Sequence, residues 1–139
     1  DVFVKGYRET VRMPEEIITA VKIPKLKNGV IVKSYKISKR KDLDISTVSG
    51  GFRLELDPKG EVKNIKLVYG GMAELTKRAE KTEKFLTGKT WNRENVEAAM
   101  HLIDLEFRPI SDTRAGEEFR RVAARNLLLK FWHETQRLE

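Results

Sequence analysis

The hydrophobic period of this sequence changes once, at Gly70-Gly71, and that change limits the architectures open to it. Before it, apolar residues recur at every second position. After it, they recur at every third or fourth. A period of two places side chains alternately on the two faces of a strand, whereas a period of 3.6 gathers them on one face of a helix. Strands first and helices afterwards describe an α+β chain. An antiparallel sheet of about four strands in the N-terminal part is expected to pack against about three helices in the C-terminal part. Residues 1–139 read as one domain with no internal repeat, low-complexity tract or linker, and the length suits a single core.

The first expected strand is Ile17–Ile23, where Ile17, Thr19, Val21 and Ile23 share a face. Pro24 ends it, because proline cannot donate to a ladder. Asn28-Gly29 signals a turn before a second run, Val30–Ile37. The third run, Ile45–Leu56, ends with Phe52, Leu54 and Leu56 inward and Arg53 and Glu55 outward. Asp57-Pro58-Lys59-Gly60 then makes a tight turn, in which proline presets one dihedral and glycine takes the one other residues resist. Val62–Tyr69 is the fourth strand, with Ile65, Leu67 and Tyr69 on one face. Beyond the switch, Leu75, Ala79, Thr82 and Leu86 mark a first helix that Gly88 stops. Asn92 caps a second, with Val96, Ala99, Ile103 and Phe107 on one face and Pro109 closing it. Ser111 or Asp112 starts a third. Its apolar stripe reads Phe119, Val122, Ala123, Asn126, Leu127, Lys130 and Phe131, and Arg120, Arg121 and Arg125 fall mainly on the polar side.

Composition excludes several chemistries. With no cysteine there is no disulfide framework, cysteine zinc site, cysteine-ligated iron–sulfur cluster or thiol nucleophile. No apolar run is long enough for a membrane helix, and Asp1–Tyr7 lack the zones of a signal peptide, so a cytoplasmic, membrane-free setting is expected. The chain opens on Asp1 rather than Met, as a processed chain or a piece of a longer polypeptide would. A formal charge of +7 and a pI near 9.7 suit either a lysine-rich solvated surface or a face for a polyanion. The densest basic stretch is Lys33–Lys41, and the acids Asp42 and Asp44 follow it at once.

No nucleophile elbow, phosphate loop or dinucleotide fingerprint is present. His101 and His133 fall in different expected helices with no carboxylate pair at ligand spacing. Gly50-Gly51 marks a bulge or a close backbone approach. Gly70-Gly71-Met72 reads as an ordinary turn, or as one offering N–H groups to an anion. Asp42 and Asp44 read as loop partners of the lysines or as a base pair of carboxylates. Asp112 with Arg114 and Arg120 reads as a cap and salt bridge anchoring the last helix, or as a catalytic group. The residues alone describe a non-catalytic α+β module with a basic face.

Several separated segments add to this. They are Gly6-Tyr7-Arg8-Glu9-Thr10, Met13–Ile18, Val21-Lys22-Ile23-Pro24 and Tyr35–Arg40, followed by Asp42–Ser46, Val68–Ala73, Lys77-Arg78-Ala79, Pro109–Gly116 and Phe119–Leu127. In this order they resemble the C-terminal domain of the FAD-binding subunit of molybdenum hydroxylases of the xanthine dehydrogenase and carbon monoxide dehydrogenase type. The resemblance covers essentially the whole chain. It implies an upstream domain, absent from this chain, that carries the glycine-rich FAD loops, while the present domain completes the flavin site and the subunit interface. It implies that Ile18 makes an apolar and backbone contact with FAD and that Lys36 is the FAD-contacting lysine. A cation there stabilises reduced, anionic flavin and pairs with electronegative ring atoms or phosphate. The loop Ser38–Asp44 resembles the segment near the flavin ring, with Leu43 where relatives often carry another acid. The implied partners are iron–sulfur and molybdenum-cofactor subunits or domains, with NAD as electron acceptor, in an oxidoreductase acting on purines. The chain alone is expected to be inactive. Two other readings are a basic nucleic-acid-binding module built on Lys33–Lys41, Tyr35 and Phe52, and an interface domain that touches no ligand.

Overall fold

The computed structural model describes residues 3–40 and 44–136. Two short strands, β1 (Val4–Gly6) and β2 (Glu9–Thr10), form a hairpin. The main sheet holds β3 (Val30–Ile37), β4 (Val48–Leu56), β5 (Val62–Gly70) and β6 (Lys77–Arg78), in that order and antiparallel throughout. Three helices follow: α1 (Glu80–Leu86), α2 (Arg93–Glu106) and α3 (Glu117–Thr135). The architecture is the α+β arrangement expected from the change of period.

The β4–β5 hairpin follows from its turn. Asp57 Oδ1 accepts from the backbone N–H groups of Lys59 and Glu61, and Gly60 takes a φ of 78°. The inward positions of β3, β4 and β5 include Tyr35, Val48, Phe52, Leu54, Ile65, Leu67 and Tyr69. Against them α3 packs on β3 and β4, α1 on β5, and α2 on the other two helices. Rings of Tyr35, Phe52, Tyr69, Phe107, Phe131 and Trp91 form one connected set, with neighbouring centroids 5.0–6.5 Å apart. Burying each such side chain stabilises the fold by about 1.5–3 kcal/mol, so this set joins sheet to helices.

Five expectations need correction. The third helix begins at Glu117, with Gly116 at its N-cap, rather than at Ser111 or Asp112. Ile17–Ile23 forms no strand: Ile17, Ile18, Val21 and Ile23 are 62–83% exposed, and no ladder partner exists among the described residues. The third strand begins at Val48 rather than Ile45. The first helix begins at Glu80, because Lys77 and Arg78 pair with Tyr69 and Val68 as the short fourth strand. In α3 the buried stripe is Arg120, Ala123, Ala124, Leu127, Leu128, Phe131 and Thr135, so it lies about one position C-terminal to the expected stripe. Phe119, Val122, Asn126 and Lys130 are exposed instead.

Candidate functional site

Helices cover one face of the main sheet. The other face is built from the alternate residues of each strand, and the helices leave it open, although Phe3 and Val4 line a cavity with Lys66 and Val68 on it. Antiparallel pairing aligns these residues in rows: Val32–Arg53–Lys66, Ser34–Gly51–Val68 and Lys36–Ser49–Gly70. Lys36 is exposed and takes part in no ion pair or hydrogen bond among the described residues. Its neighbours across the row are a serine and a glycine, so no bulky side chain stands beside it in that row. Arg53 differs, being paired with Glu55 at 2.9 Å.

The loop after Lys36 is closed at its base, where the N–H of Thr47 donates to the Ile37 carbonyl at 2.7 Å. Ser38 Oγ donates to the Arg40 carbonyl. Lys39 Nζ donates to the Thr113 carbonyl at 2.8 Å, tying the loop to the α2–α3 connection. Asp44 accepts from the Arg40 N–H and lies 3.5 Å from its guanidinium, and that backbone bond first, with the nearby charge behind it, holds the carboxyl below its usual range. The loop partnership of Asp44 with its basic neighbours is therefore present, while Lys41, Asp42 and Leu43 lie outside the described residues. A cavity of about 240 Å³ opens beside Ser38, Lys39, Thr47, Arg114, Ala115 and Phe119.

Below this loop Arg120 acts as a bolt. Its side chain is 5% exposed, and it donates to the carbonyls of Thr47 and Gly71 and to Asp112 Oδ1. The Asp112 carboxylate also accepts from the N–H groups of Arg114 and Ala115, and these two bonds, ahead of the Arg120 contact, hold its pKa down at about 2. The salt bridge expected of Asp112 with Arg114 and Arg120 is present, but Asp112 does not cap α3, whose N-cap is Gly116. Sequence reasoning placed Arg120 on the polar side. It is buried because three acceptors surround its guanidinium, which is the condition for burying a charge. The turn at Gly70-Gly71 presents a carbonyl to this cation, so its polarity is opposite to that of an anion cradle.

Ile18 lies in the unpaired segment, which no hydrogen bond joins to β3 among the described residues. The basic stretch is also divided. Lys33 faces the helix side, where it contributes to holding the Glu134 carboxyl low, whereas Lys36 faces the open side and Lys39 and Arg40 are tied within the loop region. Tyr35 and Phe52 pack in the core, and the Tyr35 hydroxyl donates to Glu134. Strands β3–β6 therefore offer no aromatic ring on the open face, and base stacking of the kind RNA-binding sheets use has no platform there. His101 and His133 are exposed on different helices.

Comparison with known proteins gives a consistent answer. The family model of the CO dehydrogenase flavoprotein C-terminal domain matches residues 33–135. A xanthine dehydrogenase of Emericella nidulans is 35% identical over 135 residues, covering 95% of this chain and 10% of its own length. A xanthine dehydrogenase/oxidase of Rattus norvegicus is 34% identical over 132 residues, covering 94% of this chain and 10% of its own. The chain thus spans about a tenth of the length of these relatives. Among solved structures, a carbon monoxide dehydrogenase from Hydrogenophaga pseudoflava superposes with a TM-score of 0.82 at 22% identity, over 91% of this chain and 44% of that one, a likeness of fold.

Proposed function

Because the chain belongs to the CO dehydrogenase flavoprotein C-terminal domain family, we propose that it completes the flavin site and a subunit interface of a longer, xanthine dehydrogenase-like molybdenum hydroxylase. The observation that carries this reading is Lys36, an exposed cation without a partner among the described residues, set in a row with Ser49 and Gly70. A solvated lysine stem with no bulky side chain beside it in that row leaves room for a planar, electron-rich group, so the residues present fit FAD. FAD, when bound, supplies the relay that takes electrons from iron–sulfur clusters and passes them to NAD.

The contributions of this chain are binding and orientation. Lys36 provides the positive charge. Ile18 provides an apolar contact. The exposed residues Ile17, Val21, Ile23 and Leu26 belong against an upstream FAD-binding domain, since a contiguous apolar stretch of this kind marks an interaction surface. No residue of this chain is assigned a proton-transfer step. The remaining partners are iron–sulfur and molybdenum-cofactor modules, the substrate class is purine-like, and the setting is the cytoplasm. Among the described residues no helix is long and apolar enough to cross a membrane.

The test is Lys36→Ala in the natural reading frame extended upstream. About tenfold weaker FAD binding, with unchanged thermal stability, is the expected result. Unchanged FAD affinity and unchanged flavin reduction rate would favour the interface-domain reading instead.

A further inference from the structure

One stretch of this chain has the pattern of a strand and no sheet to belong to. Two closed turns bracket it. In the first, the Glu16 N–H donates to the Met13 carbonyl, the Met13 N–H donates to the Glu16 carboxylate, and Arg12 donates to the carbonyls of Met13 and Glu16. In the second, the Val30 N–H donates to the Lys27 carbonyl and Gly29 takes a φ of 77°. Between the turns, residues 17–26 make no hydrogen bond among the described residues. Their apolar side chains are in the open as well, with Ile17, Ile18, Val21, Ile23 and Leu26 60–83% exposed. Both ends of this strap are held. Before it, Phe3 and Val4 line one cavity with Lys66, Val68 and Leu75 of the main body, and after it Val30 enters β3.

The strap itself says what covers it. Ile17, Thr19, Val21 and Ile23 alternate with Ile18, Ala20 and Lys22, a period of two, whereas a helix seated in a groove reads at every third or fourth residue. Residues 17–23 contain no proline, so each can donate, and Pro24 stops the ladder directly after them. Burying these side chains obliges the backbone N–H and C=O groups between them to find partners, and the free edge of a sheet supplies both kinds. The family model begins at residue 33, while the likeness to the Emericella nidulans xanthine dehydrogenase takes in 95% of the chain and so includes residues 17–23. The strap therefore lies inside the likeness to a longer protein and outside the C-terminal domain model.

We infer that in the longer protein residues 17–23 form a β-strand added to the edge of a sheet in the preceding domain. The boundary between the two folding units then falls at the Lys27–Val30 turn, and main-chain hydrogen bonds, rather than a loose linker, tie the units together. This rests on the proposed function, which supplies the preceding domain, and assigns the point of attachment.

The experiment is residue-resolved hydrogen exchange with timed trypsin digestion, on this chain and on the natural reading frame extended upstream. In this chain the amides of residues 17–23 are expected to exchange as in an unstructured peptide, with rapid cleavage after Lys22 and Lys25. In the longer protein every second amide should slow at least about a hundredfold, and cleavage should slow likewise. Of Ala20→Pro and Val21→Pro, the one whose amide is slow in wild type should restore rapid cleavage and the other should not, since only alternate N–H groups face the edge. Equal exchange in the two wild-type proteins would overturn the added strand, and that comparison stands whether or not the proline variants fold. Slowing already present in this chain would also overturn it, by showing that the strap pairs with the β3 edge or with a second copy. Slowing at every consecutive amide would overturn the edge position. FAD uptake by the longer protein is read separately. A protected strap without FAD uptake leaves the attachment standing and removes the flavin reading, and FAD uptake with an unprotected strap does the reverse.

Discussion

Replacing Gly71 by alanine probes the bolt beneath the cationic loop, and its cost can be worked from a matched control. Gly71 and Gly60 both have a φ of 78°. At Gly60 a Cβ meets nothing within 4 Å, so Gly60→Ala carries only the left-handed backbone penalty, about 1–2 kcal/mol. At Gly71 the same Cβ would overlap the Thr47 carbonyl oxygen and stand 3.0 Å from Arg120 Nη1. The Thr47 carbonyl must move, and Arg120 is then short of an acceptor. Losing a hydrogen bond to a buried charged group adds about 1.5–3 kcal/mol. The expected total is about 2.5–5 kcal/mol for Gly71→Ala, roughly 2 kcal/mol beyond Gly60→Ala. For a domain of this size that difference lowers the unfolding midpoint by about 8 °C more. Urea and thermal unfolding of the two variants measure it. Equal costs at the two positions would refute the claim that Gly71, Thr47 and Arg120 form one close-packed unit.

Two further outcomes follow from the same geometry. Because the Asp112 pKa is depressed to about 2 in the folded chain, its charge stabilises the fold above the ordinary carboxylate pKa, and this contribution is lost as pH falls through about 2. The stability gap between wild type and Asp112→Asn should therefore close between about pH 4 and pH 2; a gap that stays constant over that range would show that the carboxylate charge is not the source. Thr135→Val removes the acceptor of the buried Trp91 indole N–H, a 2.8 Å bond, and should cost about 1–3 kcal/mol in denaturant unfolding, with Thr135→Ser close to wild type.

What could be read from the sequence was local. The turn Asp57–Gly60, the alternation through Phe52, Leu54, Ile65, Leu67 and Tyr69, and the α2 face of Val96, Ala99 and Ile103 all depend on neighbours within a few residues, and all stand in the structure. Arg120 could not be read in this way. It occupies an apolar-stripe position, and two of the carbonyls that make its burial tolerable lie 73 and 49 residues away in sequence. The strand Lys77–Arg78 was hidden for the same reason, since only pairing with β5 defines it. Ile17–Ile23 shows the converse: alternation marks a segment able to lie half-buried, but without a partner edge it forms no ladder. For the site, Ile18 and Lys36 came from resemblance to a family rather than from their own spacing. The alignment of Lys36 with Ser49 and Gly70 needed the register of three strands, which no single segment encodes.

The central claim is that this domain completes a flavin site whose phosphate-holding part lies upstream. It is tested most directly by the visible absorption of two purified proteins after incubation with FAD and gel filtration: this chain, and the natural reading frame extended upstream. Flavin bands retained by the longer protein and absent from the shorter are the expected result. A longer protein that stays colourless would contradict the account.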